Sequence, residues 1–484
     1  MRNDSTRAFG NARVEGAGVN PRVLLEAYNV GLSGGTGIAT YIRNLTKAAK
    51  ANGYSVDGLF HSFSKLSSRD PFLAEVGFYD ARNLNPTKFA LNVESNWRRG
   101  IGVPTGIAAK RLPRSGMIVD SGAAGLGAVS IFERAYAARM FMDFSRFHFL
   151  RYGSAARLRI SDTPDLFHAT QMIPLRVPKV PNIYTIHDLV PILLPYSTLD
   201  DKRFFLSAVR YLCKTADHIV TVSERSKADI MTLTGISEDR ITNTYQGVSV
   251  PAGLVSQSED EVASALENLF GLSYRKYFLF CGALEPKKNV SRLLSAYAAS
   301  GSDCPLVIAG PLGWQYEEDV ARIDSEQFVS WKMTGGTLRQ QRKVRRLSYL
   351  PHSQLVLLMR GARALLFPSI YEGFGLPVLE AMTLGTPVMA SNAASLPEIA
   401  GDAAILVDAL DIASITKAIQ TLDSDHDLRL DLQRRGPKQA KKFSPEKYQE
   451  RIGALYRNVL GSSKALQQPA KPQESAADYQ LAVH

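Results

Sequence analysis

The sequence predicts an α/β protein built from two doubly wound domains that face each other across a cleft. Short apolar runs alternate with helical stretches in two separate series, the pattern of parallel sheets covered on both faces. The first run passes through a glycine-rich loop into a helical pattern, giving the order strand, loop, helix. A length of 484 residues, 45% hydrophobic and 21% charged, supports two or three domains with cores of their own and excludes a mini-protein or a disordered chain.

After a polar start, an apolar run from Val23 to Ala27 leads into GLSGGTG at 31–37, and Ile38, Ile42, Leu45 and Ala48 then recur at helical spacing. A glycine loop opening a helix lets backbone N–H groups meet a phosphate or a hydroxyl-rich ligand, and it serves equally well as a tight turn. LFHAT (166–170), NIYTIHDLV (182–190), a helix near 199–216 and HIVTVS (218–223) continue the series, with Ser223 placed to cap the helix that follows. The acidic stretch SQSEDE (256–261) reads as a linker.

The second series runs YFLFCGAL (277–284), a helix from Val290, PLVIAG (305–310), VRRLSYL (344–350), a helix through QLVLLMRGA, RALLFPS (363–369), a helix opened by Pro377, TPVMAS (386–391) and AAILVD (403–408). FSPEKYQERIGALYRNVL has helical spacing, and the tail beyond it reads as disordered. The expected division is a flexible N-terminus (1–20), an N-terminal domain (21–254), a C-terminal domain (255–442), a helix (443–462) packing back on the N-terminal domain, and a disordered tail (463–484).

Fifty-seven Lys and Arg against 46 Asp and Glu give a net charge of +11, which suits an anionic partner: nucleic acid, nucleotide phosphates or acidic lipid. Between residues 97 and 160 eleven basic residues meet only Asp120, Glu133 and Asp143, and aromatics gather in IFERAYAARMFMDFSRFHFLRY. That stretch reads either as a basic amphipathic surface resting on anionic lipid or as an ordinary helix with its aromatics turned to the core. Cys213, Cys281 and Cys304 are too few and too widely spaced for a disulfide framework or a thiolate zinc site. The N-terminus lacks the apolar core of a signal peptide, and no apolar run approaches the ~18 residues that span a bilayer. A cytoplasmic protein is expected, with any membrane contact peripheral.

The most informative stretch is FPSIYEGFGLPVLEAMTLGTPVMASNAASLPEIAGDAA (367–404), in which Glu372 lies in a loop leaving a strand and Glu380 about one turn into the helix begun by Pro377. The two carboxylates address different parts of one ligand. Gly373 and Gly375 let the backbone approach closely, and free N–H groups at the helix start suit a diphosphate. His187 in TIHD follows a strand, at the edge where ligands enter an open α/β sheet. His168 also ends a strand, and there packing outweighs catalysis. Asp423 and Asp425 form an Asp-x-Asp pair in a polar inter-helix region and read as solvated surface.

The Glu-x7-Glu stretch resembles the signature of retaining glycosyltransferases of family 4, which have the GT-B fold of two facing Rossmann-like domains with the active site in the cleft. GGTGIATYIRNL, DLFHAT, TIHDLVP, ADHIVTVSERSK, CGALEPKKN, LVIAGPLGW and GARALLFPSIYEGFG agree in order, over roughly residues 21–460. The resemblance implies that Glu372 binds hydroxyls of the donor sugar and Glu380 the nucleotide ribose, with the backbone from Gly373 through Phe374 and Gly375 to Leu376 near the sugar and diphosphate. It makes Lys288 the lysine that neutralises the diphosphate; Lys287 stands where relatives often carry arginine, which keeps the charge and loses the bidentate fork. It sets His187 beside the transferred sugar, with Asp188 fixing its tautomer or binding acceptor, and Gly35 and Gly37 on the acceptor side.

The resemblance further implies front-face attack by the acceptor hydroxyl, with the leaving diphosphate taking its proton, and no metal or other cofactor. TIHDL together with EPKKN looks most like mannosyltransferases of bacterial surface-polysaccharide assembly, which makes GDP-mannose the expected donor and a glycan or lipid-linked oligosaccharide at the inner face of the cytoplasmic membrane the expected acceptor. UDP-glucose, UDP-N-acetylglucosamine and dTDP-rhamnose are the alternative donors, and a sugar-nucleotide epimerase of the same fold is the alternative reaction. A nucleic-acid-binding role motivated by the charge lacks any accompanying zinc-finger, RNP-like or helix-turn-helix pattern, so nucleic acid is not an expected partner.

Overall fold

The computed structural model describes residues 20–31, 37–63, 70–80, 103–118, 127–248, 250, 252–334 and 337–467. In chain order the N-terminal half contributes β1 (Arg22–Glu26), β2 (Ser55–Ser62), β3 (Ile107–Arg111), β4 (Ala135–Arg139), β5 (Ala156–Arg159), β6 (Leu166–Ala169), β7 (Leu175–Arg176), β8 (Asn182–Thr185), β9 (His218–Thr221) and β10 (Ile241–Asn243). They form one sheet in the order β10-β9-β8-β6-β1-β2-β4-β3-β5-β7. From β10 to β4 every pairing is parallel; β3 then runs antiparallel to β4, and β5 and β7 follow the direction of β3.

The C-terminal half contributes β11 (Phe278–Cys281), β12 (Leu306–Ala309), the antiparallel hairpin β13 (Val329–Thr334) and β14 (Thr337–Arg342), β15 (Val344–Leu347), β16 (Ala364–Phe367), β17 (Val388–Ser391) and β18 (Ile405–Val407). Apart from the hairpin, these strands make an all-parallel sheet in the order β15-β12-β11-β16-β17-β18. FLFC, LVIA, ALLF and VMAS are buried along their whole length, which is why they read as continuous apolar runs and not as alternating ones. The strand order reverses between β1 and β6 in the first sheet, where β3 and β4 are also exchanged, and between β11 and β16 in the second. The crevice beyond the carboxyl ends of such a switch point is where open α/β sheets bind ligands.

The helix Pro445–Gln467 returns to the N-terminal half, burying Tyr448, Ile452, Leu455 and Tyr456. Asn52 Nδ2 donates to Gln449 O at 2.9 Å, and a Cβ on Gly453 would meet Asn52 Oδ1 at 2.3 Å, so glycine is what lets this helix approach so closely. His168 is fully buried, with Nδ1 2.8 Å from Tyr456 Oη and Nε2 2.8 Å from Thr185 Oγ1, and burial pushes its pKa down to about 3. It is fully enclosed among these partners, the packing position expected of it.

Several expectations are corrected. SQSEDE is no linker: Ser258 and Glu261 form a capping box on the helix Glu259–Phe270, which buries Val262 and Leu266. The segment 131–152 is not one amphipathic helix. It splits into β4 and the helix Phe141–Tyr152 at Met140, whose φ is 46°, and Phe132, Phe141, Phe144 and Phe149 face the core. The last helix continues to Gln467, past the expected start of the tail; residues 1–19, most of that tail, and part of 97–160 lie outside the described residues. Asp423 is not solvated surface, since it pairs with Arg363 and accepts from Ser302 Oγ at 2.5 Å, while Asp425 caps the helix His426–Ala440.

The loops leaving β11 and β16 are pinned by Asn289, which is buried at φ 63° and donates through Nδ2 to Pro368 O at 3.0 Å and Ala409 O at 2.6 Å. Asn289→Ala strands two buried carbonyls and places a Cβ-bearing residue without a local hydrogen bond in the left-handed region. A loss of ~2–4 kcal/mol is expected, read as a lower midpoint in thermal and urea denaturation; an unchanged midpoint contradicts it.

Candidate functional site

At the switch point of the C-terminal sheet two loops meet. After β11, GALEPKKN ends in a 3₁₀ turn, Pro286–Lys288, that sets both lysines on one side of the crevice. After β16, PSIYEGFG carries Glu372. The loops are tied by Ile370 N–H donating to Lys287 O at 2.8 Å. Lys288 Nζ lies 2.6 Å from Glu372 Oε1 and 5.1 Å from the centre of the Phe367 ring. Glu372 is 8% exposed. Burial alone raises its pKa, but the charges of Lys288 and Lys287 outweigh that and hold the carboxyl below its ordinary value, so it is ionised. Lys287 Nζ stands 3.5 Å from Glu285 Oε1. Burial opposes its charge, and Glu372, Asp188 and Glu285 together overcome that and raise its pKa.

Gly375, at φ 103°, turns the chain into the helix Leu376–Thr383. A Cβ there would displace the tip of Leu396, whose Cδ2 would lie 2.5 Å away, and the positive φ is what demands glycine. The first helical bond is Val378 N–H to Gly375 O at 3.1 Å, which leaves the N–H groups before it available at the crevice. Ser395 Oγ donates to Glu372 O at 2.8 Å and Phe374 O at 2.9 Å and fixes the loop from behind. Glu380 lies on the same helix with Oε1 3.4 Å from His352 Nε2, and this contact raises the histidine's pKa.

His187 and Asp188 leave β8 on the opposite wall. Burial lowers the pKa of His187, so its ring is neutral at pH 7, and Nε2 donates to Thr170 O at 2.9 Å. The Tyr41 ring stands edge-on to it, centroids 4.9 Å apart, with Tyr41 Oη 2.9 Å from Thr185 Oγ1. Asp188 Oδ1 accepts from Val190 N–H at 3.0 Å.

The two walls meet at Gly373, where a Cβ would fall 2.9 Å from both Asp188 Oδ2 and His187 O. Gly37, first residue of the helix Gly37–Ala51, faces Leu376, whose Cδ1 would be 3.9 Å from a Cβ on it. Glu398 completes the closure by accepting the N–H groups of Glu224 and Arg225 at 3.1 Å each, so a carboxylate from one half sits on a helix N-terminus of the other.

Glu372, Lys287, Lys288, Gly373, His187 and Asp188 are therefore brought together, and Glu380 is set one helical turn further along. Phe374 is not a lining side chain: it is buried against Tyr245 and Phe443, centroids 6.4 and 5.9 Å away, so only its backbone is at the crevice. Gly35 lies outside the described residues. Sequence reasoning missed Thr170, Tyr41, Ser395 and Glu398. Ser395 precedes Leu-Pro-Glu, the pattern of a helix start, and was legible in principle; Thr170 acts through its carbonyl, which leaves no trace in residue type.

Residues 271–439 match the family described as glycosyl transferases group 1, and residues 108–250 match glycosyltransferase family 4. The O-antigen chain mannosyltransferase B of Escherichia coli is 34% identical over 269 residues, 54% of this chain and 67% of that protein. The serotype-specific mannosyltransferase WbdA of Escherichia coli is 27% identical over 264 residues, 53% of this chain and 31% of that protein, so this chain spans under a third of it. Among solved structures, sucrose-phosphate synthase from Thermosynechococcus elongatus superposes with a TM-score of 0.61 at 16% identity, covering 92% of this chain and all of that one, a likeness of fold.

Because the folded-state pKa of Glu372 lies below its ordinary 4.5, its ionised form contributes stability in full above about pH 4.5 and loses it as pH falls toward the depressed value. Glu372→Gln removes that contribution. The difference in thermal midpoint between wild type and variant is expected to be constant from pH 8 to 5 and to shrink below pH 4.5; a difference independent of pH down to 3 contradicts the assignment.

Proposed function

The chain belongs to the family 4 glycosyltransferases of the GT-B fold, and from that premise we propose that it is a retaining mannosyltransferase that uses GDP-mannose and extends a glycan or lipid-linked oligosaccharide in surface-polysaccharide synthesis. One observation carries this reading: two lysines and an ionised, buried glutamate converge at the switch point of one sheet, across Gly373 from the histidine that ends a strand of the other. The donor diphosphate takes the place of Glu372 as the partner of Lys288. That exchange frees the carboxylate to accept hydrogen bonds from the hydroxyls of the sugar, so binding the donor readies the residue that holds its reacting end.

Lys288, Lys287 and the N–H groups before Val378 stabilise the charge that develops on the leaving diphosphate, in a crevice where such interactions are worth more than in water. Glu380 holds the ribose. The neutral His187 faces the sugar beside the attacking hydroxyl, which enters on the face the diphosphate leaves and passes its proton to the departing phosphate oxygen. No divalent metal takes part in this scheme.

The mannosyltransferases among the relatives support mannose as the transferred sugar, and the O-antigen enzyme supports surface polysaccharide as the product. Among the described residues no helix is long and apolar enough to cross a membrane. The end of the helix Phe141–Tyr152, where exposed Leu150 and Tyr152 stand beside Arg151, supports a peripheral contact with anionic lipid at the inner membrane face.

GDP and GDP-mannose are expected to raise the thermal midpoint of the protein by mass action with EDTA present, and mannose is expected to appear α-linked in the product. Lys288→Ala and Glu372→Gln are expected to lower transfer on the order of 10²-fold or more while the protein remains folded. Stabilisation only by UDP or dTDP sugars overturns the donor; normal turnover in both variants overturns the site.

A further inference from the structure

The carboxyl edge of the N-terminal sheet carries a buried acid that the scheme above leaves without a task. Glu26, last residue of β1, is 0% exposed. Its Oε1 accepts from Tyr28 N–H at 2.6 Å, and its Oε2 accepts from Thr170 Oγ1 at 2.7 Å and Gln171 Nε2 at 3.2 Å. Thr170 Oγ1 also lies 3.0 Å from Glu26 O. No Lys or Arg pairs with this carboxyl among the described residues; burial raises its pKa, and the hydrogen bonds from Thr170, Tyr28 and Gln171 oppose that rise without cancelling it.

Two of those donors come from one place, the Thr170–Gln171 turn that ends β6. The carbonyl of that same Thr170 receives Nε2–H of His187 at 2.9 Å. A carbonyl oxygen only accepts, so its direction decides which ring nitrogen carries the proton and at what angle the ring stands. Nδ1 is thereby left as the nitrogen with the lone pair. Whatever holds Thr170 still holds the tautomer and the aim of His187, and the side chain that holds Thr170 is Glu26.

We propose that Glu26 is a positioning residue for His187, acting through Thr170 across the switch point of the N-terminal sheet. The inference rests on the reading of His187 as the group beside the transferred sugar. An amide does not replace the carboxyl here. A glutamine offers one acceptor oxygen where the carboxyl offers two: with that oxygen on Tyr28 N–H, its NH₂ meets Gln171 Nε2 donor to donor and reverses the bond with Thr170 Oγ1, whose proton is left to Glu26 O, so the anchoring of the turn changes.

The test uses the full-length protein with GDP-mannose, water serving as acceptor, together with GDP titration and ¹⁵N-histidine NMR, in which His187→Gln identifies the ring signals. Glu26→Gln is expected to lower kcat for GDP-mannose hydrolysis on the order of 10²-fold, the scale of a misplaced reacting group. Affinity for GDP is expected to stay unchanged, and His187 to lose the pattern of a ring protonated only on Nε2. Thr170→Val, which keeps the carbonyl and removes the hydroxyl, is expected to act in the same direction and decides the matter by the same readouts where Glu26→Gln does not fold. Unchanged kcat, or a lower kcat with the His187 ring signals unmoved, overturns the proposal. A wild-type protein inert toward every sugar nucleotide counts against the proposed function, and the ring signals of the variants then still decide the role of Glu26.

Discussion

The buried ion pair of Lys288 with Glu372 is the interaction around which the C-terminal half is arranged. Removing two charges from water costs several kcal/mol each before any attraction is counted, and such pairs are often no more stabilising than packed apolar groups. The surrounding structure supplies the support that a pair of this kind requires. Asn289 locks the end of the lysine loop to both Pro368 and Ala409, Ile370 ties the two loops backbone to backbone, and Ser395 holds two carbonyls of the glutamate loop. These restraints converge on the two side chains of the pair and hold them at 2.6 Å.

Closure between the halves follows from the same loop. Gly373 has no side chain because Asp188 and His187 occupy the space, and several contacts run across the cleft: Ser226 Oγ toward Gly373 O at 3.5 Å, Tyr371 to Asp229, Trp314 Nε1 to Ser197 O at 2.8 Å, and Glu398 onto the helix that starts at Glu224. Burial raises the pKa of Glu398, and the two N–H groups it caps oppose that rise. The loop carrying Glu372 is thus shaped by the opposite domain as well as by its own.

How much of this was legible in the sequence depends on which physics wrote it. FLFC, LVIA, ALLF and VMAS announce buried parallel strands because neither face of such a strand meets water, and the functional segments TIHD, EPKK and YEGFG announce themselves because each stands directly after such a run. The reversed edge of the N-terminal sheet was not legible. β7 has two residues and β3 alternates buried with exposed positions in a basic stretch, so neither offers the continuous apolar signal. Phe374 was expected to contribute its backbone, and where its ring goes was not legible: it packs against Tyr245 and Phe443, a choice set by residues distant in sequence. The acidic run at 259–261 looked like a linker for the same reason that it caps a helix, because acidic residues suit both solvent and a helix N-terminus.

His187 is tied to the last helix through a buried chain of contacts. Its ring rests on Tyr41; Tyr41 bonds to Thr185, Thr185 to His168, and His168 to Tyr456 of the helix Pro445–Gln467, each bond 2.8 to 2.9 Å. This buried chain is neutral throughout, because burial depresses the pKa of the histidine and raises that of the tyrosines, so it links the last helix to His187 without placing a charge beside it. A shift of the last helix along its axis is felt at Tyr456 and, through three hydrogen bonds and one ring contact, at His187. Because the chain reaches that helix only after leaving the C-terminal sheet, the segment that straps the two halves together also sets the wall against which the histidine leans.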